Sequence, residues 1–395
     1  MIRPKYEIAH VIERFGNGFV KKHNPNSWVT RVLNALRICR TAALGGHKDQ
    51  CDNCGKIRVS YNSCANRHCP KCQAAKQAFW VEDVSNRIID TKYFHIVFTV
   101  PELLNPVCLL NSKGFYSSLF SSVWQSLRTF GYTHYGVETG AIAILHTWGQ
   151  NLSLHPHIHC LVPAVGIDLA GNIKKIGKKA KYLYPVKKLS IDFRGNMMKL
   201  LKRQLGKNNQ LPKYQSTVNK AWAKDWVVFI EPSFTDADRV IKYLGQYTHR
   251  VAISNQRIHH IGSEHVNFFY KDYKDAAKRK LIRLKGVEFL RRFCMHILPK
   301  GFVKVRYYGI MSNRYRQQTA MYRKPQNKPE NETTLQRIAR LTNFDICLCP
   351  FCKKGKMHVI EVLPRIRSPV KFLYSKNDGK INQSNYNLSC FNGPA

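Results

Sequence analysis

The stretch "SLHPHIHCLV" (residues 153–162) places a histidine on every second position of a segment that then becomes apolar. Residues two apart in a β-strand face the same side of the sheet. The pattern therefore predicts a strand with His155, His157 and His159 on one face and Ile158 packed inward. Two imidazoles one strand repeat apart suit a divalent metal ion whose third ligand comes from elsewhere. A half-exposed strand that happens to hold histidines is the alternative.

Other segments around this strand predict its neighbours. "GAIAILHTWGQ" (140–150) reads as a second strand, joined to the first by a short polar turn. Further strands are predicted at 93–101, 225–234, 251–270 and 301–310, and helices at 74–90, 115–130, 235–252 and around 274–296. This alternation, with hairpin-like neighbouring strands, predicts an α+β fold with an antiparallel sheet and flanking helices, preceded by a small zinc-binding domain.

The helix predicted at 235–252 carries two tyrosines, Tyr243 and Tyr247. Because residues four apart lie on the same face of a helix, the two phenols are expected side by side. One explanation is an ordinary core stripe that also contains Val240 and Val251. The other is a reactive pair, which the position of this helix after the histidine strand favours.

A cysteine-rich segment, "CDNCGKIRVSYNSCANRHCPKC", precedes the predicted sheet. Cys51 and Cys54 form one C-x-x-C pair and Cys69 and Cys72 another, so the two pairs are predicted to complete one tetrahedral Zn(II) site. Cys64 and His68 are surplus to this site. They are left open as alternative ligands, as members of a second site with His47, or as packing residues.

A smaller cluster, "CLCPFCKKGKM", lies near the C-terminus. Its C-x-x-C pair, Cys349 and Cys352, is a weak signal when it stands alone. Two interpretations remain equal: half of a zinc site completed by Cys347 and His358, or the remnant of a former zinc knuckle.

The charge of the chain indicates a polyanionic partner. Among 395 residues, 64 are Lys or Arg and 24 are Asp or Glu, which gives a formal net charge of +40. A compact protein with this excess repels itself, so nucleic acid is the expected partner. No apolar run reaches the roughly 18 residues of a membrane span. The expected location is therefore cytoplasmic, with no membrane partner and with reduced thiols.

Four segments together resemble the insertion sequence 91 family of transposases, the two-tyrosine, rolling-circle HUH enzymes. They are the cysteine segment as zinc-binding region, "YFHIVFTVPELLN" (93–105) as first core strand, "LHPHIHCLVPAVG" (154–166) as HUH motif and "YLGQYTHRVAISN" (243–255) as two-tyrosine helix. They follow the family's order and cover roughly residues 25–310. The resemblance implies a helical and zinc-binding domain at 1–90, an HUH nuclease core at 91–310 with a basic insertion at about 170–220, and a basic tail at 311–395.

The resemblance also implies a mechanism. His157 and His159 would hold Mg(II) or Mn(II) against the scissile phosphate, with His155 and Gln150 ranked equally as third ligand and Gln246 below them. One tyrosine would attack single-stranded DNA, leaving a 5′-phosphotyrosine and a 3′-hydroxyl. The second would permit another cleavage, as rolling-circle transposition requires.

The partners implied are single-stranded DNA at transposon ends, target DNA, and host replication or helicase functions at the nucleoid. The alternative function is a non-catalytic, zinc-dependent DNA-binding protein, a decayed transposase. Such a protein is expected to have lost a histidine of the HUH motif or a tyrosine, and both pairs are present.

Overall fold

The structure is a computed structural model that describes residues 4–177, 183–234, 245, 251–273, 275–323, 329 and 331–366. Most of the predicted tyrosine helix, including Tyr243, Gln246 and Tyr247, lies outside the described residues; Gly245 lies within them and is helical. No helix in the described ranges is long and apolar enough to cross a membrane.

Helices and strands alternate along the described chain. The helices are α1 (Ile8–His23), α2 (Ser27–Arg37), α3 (Gln73–Ser85), α4 (Asn105–Leu110), α5 (Ser112–Tyr135), α6 (Val186–Lys207), α7 (Leu211–Ala223), α8 (Gly286–Cys294) and α9 (Thr334–Thr342). The strands are β1 (Gly46–Cys51), β2 (Ile57–Tyr61), β3 (Tyr93–Thr99), β4 (Val137–Glu138), β5 (Gly140–Trp148), β6 (Leu154–Pro163), β7 (Val165–Asp168), β8 (Ile173–Lys175), β9 (Val227–Phe234), β10 (Ile258–Ile261), β11 (His265–Asp272), β12 (Lys278–Lys285), β13 (Val305–Gly309) and β14 (Met357–Leu363).

The central sheet has five strands in the order β13-β5-β6-β3-β9, and every neighbouring pair is antiparallel. β5 and β6 form the hairpin that was predicted from their sequences. β3, the first core strand, lies beside β6 and places Val97 opposite His159. The α+β fold with an antiparallel sheet is therefore confirmed.

One face of this sheet is covered by α5 and α6. Ile96 and Phe98 from β3 pack into the same buried cluster as Phe193 and Met197 from α6. The segment at 170–220, predicted as a basic insertion, therefore supplies part of the core packing. Its helix α6 carries buried apolar residues on one side and five of the segment's twelve lysines.

The opposite face of the sheet carries the histidines and is partly covered by α3. Trp80 and Val81 from α3 pack against a buried cluster that includes Ile142, Ile144 and Leu161. These three sheet residues alternate with residues of the first face, because successive side chains in a strand point to opposite sides.

A second core joins the N-terminal helices to a later part of the chain. Phe15 and Leu33 from α1 and α2 share a buried cluster with Phe268 and Phe289. A Cβ added at Gly286 would lie 2.3 Å from a ring carbon of Phe15, so α8 approaches α1 closely. The domain division at residue 90 stays a prediction, and this cluster crosses it.

The helix predicted around 274–296 is wrong in its first half. Lys278–Lys285 is strand β12, paired with β11, and only Gly286–Cys294 is helical. In β12 the half-buried Ile282 and Leu284 alternate with exposed basic residues, which is the period of two that a strand requires.

The cysteine-rich region forms a separate three-stranded sheet in the order β14-β1-β2. β14, near the end of the described chain, pairs with β1 from Cys51↔Met357 to Gly46↔Leu363. The region predicted as a C-terminal tail therefore completes a sheet that begins in the N-terminal region.

Candidate active site and cysteine clusters

Three histidines converge on the face of the β5–β6 hairpin that lies opposite to α5 and α6 and is partly covered by α3. The register places His146 directly opposite His157 and Ile144 opposite His159. One ring nitrogen from each of His146, His157 and His159 lies within 4.8 Å of the others. The ring centroids of His146 and His159 are 4.6 Å apart. This spacing permits one ion to contact all three imidazoles.

The third member of this group is therefore His146, and the prediction of His155 is wrong. His155 is exposed, and its ring packs 4.9 Å from that of His157. Four positions along a strand separate it from His159, which amounts to about 13 Å at about 3.3 Å per residue. His146 stands on the neighbouring strand, directly opposite His157 at the roughly 5 Å that separates opposed residues. It lies diagonal to His159, with the two ring centroids 4.6 Å apart.

The other predicted third ligands are not placed in the group. Gln150 lies in the turn between β5 and β6, where its backbone carbonyl accepts a hydrogen bond from Arg257. Its role as a ligand stays a prediction, and Gln246 lies outside the described residues. The pairing of His146 with His157 could not be counted back from the turn, because the register shifts between His146 and the pair Trp148↔Leu154.

Hydrogen bonds orient two of the imidazoles. Glu231 Oε2 lies 2.8 Å from His95 Nδ1, and His95 Nε2 lies 2.9 Å from His159 Nδ1. In the neutral form, His159 donates to His95, which donates to Glu231. His157 Nδ1 donates to the His155 carbonyl at 2.7 Å. In both His157 and His159, Nε2 is then the atom that could coordinate a metal ion.

Burial keeps these imidazoles neutral. It lowers the pKa of His157 to about 3 and that of His159 to about 2, with further lowering from the neighbouring imidazoles. The pKa of His95 is also lowered by burial, although Glu231 opposes the shift. Because a metal ligand must be unprotonated, the group is ready to coordinate an ion at neutral pH.

A cavity of about 470 Å³ lies beside the histidine group. Trp148 lines it and stacks on His146 with ring centroids 4.9 Å apart. Arg67 and Lys304 also line it, and Lys304 Nζ is 4.9 Å from the Trp148 ring centroid. Burial, and then the charge of Arg67, lower the pKa of Lys304 to about 7. The cavity therefore combines an aromatic wall with the Arg67 guanidinium and with the Lys304 amine, which is about half protonated at neutral pH.

Gly245 packs against α3, the helix that partly covers the histidine-bearing face of the sheet. It is helical and buried, and a Cβ added to it would lie 2.2 Å from Val81 Cγ2. Only a glycine permits this approach to α3, the helix that covers the histidine-bearing face. In the sequence, Tyr243 lies two residues before Gly245 and Tyr247 lies two residues after it.

The cysteines form two groups, and the single site predicted from Cys51, Cys54, Cys69 and Cys72 is wrong. The first group contains Cys39, Cys64, Cys69 and Cys72, and the second group contains Cys51, Cys54, Cys349 and Cys352. Cys51 and Cys54 lie at the β1–β2 turn and Cys69 and Cys72 follow β2, so each pair takes its partners from elsewhere.

The first group draws on residues that spacing alone could not assign. Cys39 follows α2 and was missed because its position fits the apolar pattern of that region. Cys64, thought surplus, belongs to the group, while His68 does not join it. Sulfur–sulfur distances of 3.5 Å from Cys39 to Cys69 and to Cys72 suit four thiolates around one ion.

The second group corrects the prediction for the C-terminal cysteines. Cys349 and Cys352 are completed by Cys51 and Cys54, and neither Cys347 nor His358 joins them. His358 Nε2 instead lies 3.3 Å from Asp52 Oδ2.

Comparisons with known proteins place the chain among the transposases. Residues 11–100 match the family model "Transposase zinc-binding domain", and residues 140–319 match "Putative transposase". No solved structure matches the chain at a significant level.

Two relatives agree with this class. The chain is 38% identical to "Putative transposase y4qJ" of Sinorhizobium fredii, over 93% of this chain and 98% of that protein. It is 26% identical to "Transposase for insertion sequence element IS801" of Pseudomonas savastanoi pv. phaseolicola, over 78% of this chain and 74% of that protein. The chain belongs to the insertion sequence 91 family of transposases, with an N-terminal zinc-binding domain. DNA is therefore its substrate, and the first cysteine group supports a structural zinc ion.

Proposed function

We propose that this transposase cleaves and rejoins single-stranded DNA at insertion-sequence ends through a 5′-phosphotyrosine intermediate, for rolling-circle transposition. The observation that carries the proposal is the convergence of His146, His157 and His159 on the sheet face over which α3 and Gly245 pack. Gly245, which stands between Tyr243 and Tyr247 in the sequence, thus packs against the helix that covers the face with the three imidazoles.

The three imidazoles would hold a divalent cation, which supplies Lewis-acid activation of the scissile phosphate when bound. Of the two ions expected, Mn(II) suits the centre better, since Mg(II) prefers oxygen donors. His95 and Glu231 hold the His159 ring in place, so that its Nε2 would be the atom that coordinates the cation.

Tyr243 and Tyr247 are the proposed nucleophiles. In the cleavage step, a phenolic oxygen forms a bond to phosphorus while the bond from phosphorus to the 3′-oxygen breaks. The phenolic proton leaves, and the 3′-oxygen gains a proton to become a hydroxyl. A phenol with a pKa near 10 needs help to ionise, which positive charge near the site provides. The phosphotyrosine bond conserves the energy needed for rejoining.

The cavity next to the histidines supports an unpaired strand as substrate. Trp148 offers a ring on which a base can stack, and Arg67 and Lys304 offer positive charge for the backbone. A stacked base contributes about 1–3 kcal/mol to single-strand binding. The net charge of +40 supports the same substrate class.

An adduct assay tests the proposal. Full-length protein is mixed with end-labelled single strands from the DNA on either side of its gene, with and without Mn(II), and run on a denaturing gel. We expect a metal-dependent protein–DNA adduct that His146→Ala and the Tyr243→Phe/Tyr247→Phe double variant abolish. Tyr273→Phe, at a tyrosine 69% exposed, is the matched control and should keep the adduct.

The competing function is zinc-dependent DNA binding without catalysis. It predicts that wild-type protein retains the labelled strands on a native gel and forms no adduct on the denaturing gel. An adduct that persists in the double tyrosine variant would also contradict the proposed mechanism.

A further inference from the structure

We propose that Cys51, Cys54, Cys349 and Cys352 bind a second zinc ion, distinct from the ion of the first cysteine group. Cys349 and Cys352 lie outside both segments that match family models, which end at residues 100 and 319. The ion fastens the C-terminal strand β14 to the N-terminal strand β1. This site is independent of the histidine centre and of the proposed cleavage chemistry.

Sulfur geometry is the first observation. Cys51 Sγ lies 3.7 Å from Cys352 Sγ, and Cys54 Sγ lies 3.7 Å from Cys349 Sγ. Four sulfurs at the corners of a tetrahedron around zinc, with zinc–sulfur bonds of about 2.3 Å, are about 3.8 Å apart. A disulfide would bring two of them to about 2.05 Å. The observed distances fit metal coordination.

Backbone geometry around the four thiols is the second observation. The amide of Cys54 donates to Cys51 Sγ at 3.4 Å, and the amide of Gly355 donates to Cys352 Sγ at 3.4 Å. A Cβ added to Gly355 would lie 2.6 Å from Cys51 Sγ, so a side chain there would crowd the group. Two C-x-x-C turns thus face each other, each with an amide directed at a sulfur. This is the arrangement that stabilises thiolates.

The weak core of the β14-β1-β2 sheet is the third observation. Its buried cluster consists of Cys51, Cys349 and Met357, with Cys352 packed against them. Large apolar side chains on its strands are exposed instead, including Val59 at 46% and Val362 at 75%. A unit of this size cannot be held by so little buried apolar surface, and small domains in reducing compartments use metal ions for this purpose.

Polar contacts show that the two turns are matched to each other. Asp52 Oδ1 accepts from the amide of Lys356 at 2.8 Å, and the amide of Asp52 donates to the Lys356 carbonyl at 3.0 Å. Lys56 Nζ lies 5.3 Å from the ring centroid of Phe351. Four thiolates around one Zn(II) carry a net charge of −2, which the lysines around the turns offset.

Zinc content measures the proposal directly. Native mass spectrometry of the purified full-length chain should find two zinc ions. Cys349→Ser/Cys352→Ser and Cys51→Ser/Cys54→Ser should each retain one, and Cys347→Ser, the matched control outside the group, should retain two. One zinc in wild type, or two in Cys349→Ser/Cys352→Ser, would overturn the proposal.

If a variant fails to fold, the reactivity of the thiols in the wild-type protein tests the second zinc site instead. Cys54 is exposed, and Cys352 and Cys347 are half-buried. On brief treatment with iodoacetamide, Cys347 should be alkylated while Cys54 and Cys352 resist until a zinc chelator is added. Alkylation of Cys54 and Cys352 as fast as Cys347 before the chelator is added would overturn the proposal.

Discussion

Replacing Glu231 with Gln tests whether the hydrogen-bonded chain behind His159 acts on the metal centre. The variant keeps a hydrogen-bond acceptor opposite His95 and removes the negative charge. A hydrogen bond to a charged group contributes about 1.5–3 kcal/mol, against about 0.5–1.5 kcal/mol for a neutral one. The Glu231 side chain is 30% exposed and that of His95 is 2% exposed, so solvent weakens the effect only in part.

We expect a loss of about 1 kcal/mol in metal binding, which weakens the affinity for Mn(II) about five-fold. The assay is a titration of zinc-loaded protein with Mn(II), in which electron paramagnetic resonance measures the unbound ion. Glu264→Gln, at an exposed glutamate that also lies near a histidine, should leave the affinity unchanged. His146→Asn removes a ligand and should weaken binding more than Glu231→Gln does. Unchanged Mn(II) affinity in both Glu231→Gln and His146→Asn would refute the three-histidine centre.

Three further predictions concern stability and packing. Burial lowers the pKa of His296 to about 4. Below pH 6.5 the unfolded chain binds a proton at this histidine and the folded chain does not, so the free energy of unfolding decreases as the pH is lowered. Between pH 6.5 and 4, His296→Gln should lose about 3 kcal/mol less of this free energy than the wild type does, as measured by urea unfolding. An equal loss in both proteins would contradict this. Gly245→Ala should reduce DNA cleavage because its Cβ meets Val81, and Val81→Ala in the same chain should restore it, whereas failure of this rescue would argue against the contact. Phe193→Ala should lower the free energy of unfolding by about 3–5 kcal/mol, since the ring is fully buried; a loss below 1 kcal/mol would show that α6 is not part of the core.

The sequence predicted the elements whose patterns are local. Alternation in β6 predicted a strand with His157 and His159 on one face, and the apolar run of β5 predicted its partner. His146 was missed because a single histidine in an apolar strand resembles a core residue, and only the register of the hairpin reveals what it faces.

The cysteines show more clearly that sequence patterns predict local structure but not long-range pairing. Spacing predicted each C-x-x-C turn, because a tight turn is a local structure. Which turns share an ion depends on strand pairing between β1 and β14, and no local pattern encodes that pairing. β12 was assigned to a helix for a related reason, since its partner strand decides its conformation.

The pairing of β1 with β14 also sets an order of events during synthesis. Cys51 and Cys352 stand 301 positions apart in the chain. At about 5–20 residues per second, β1 leaves the ribosome roughly 15–60 s before its partner strand exists. Throughout that interval the sheet lacks its edge strand β14. A chain that stops before residue 349 would lack β14 and two of the four cysteines of the second group, so its N-terminal sheet would be incomplete.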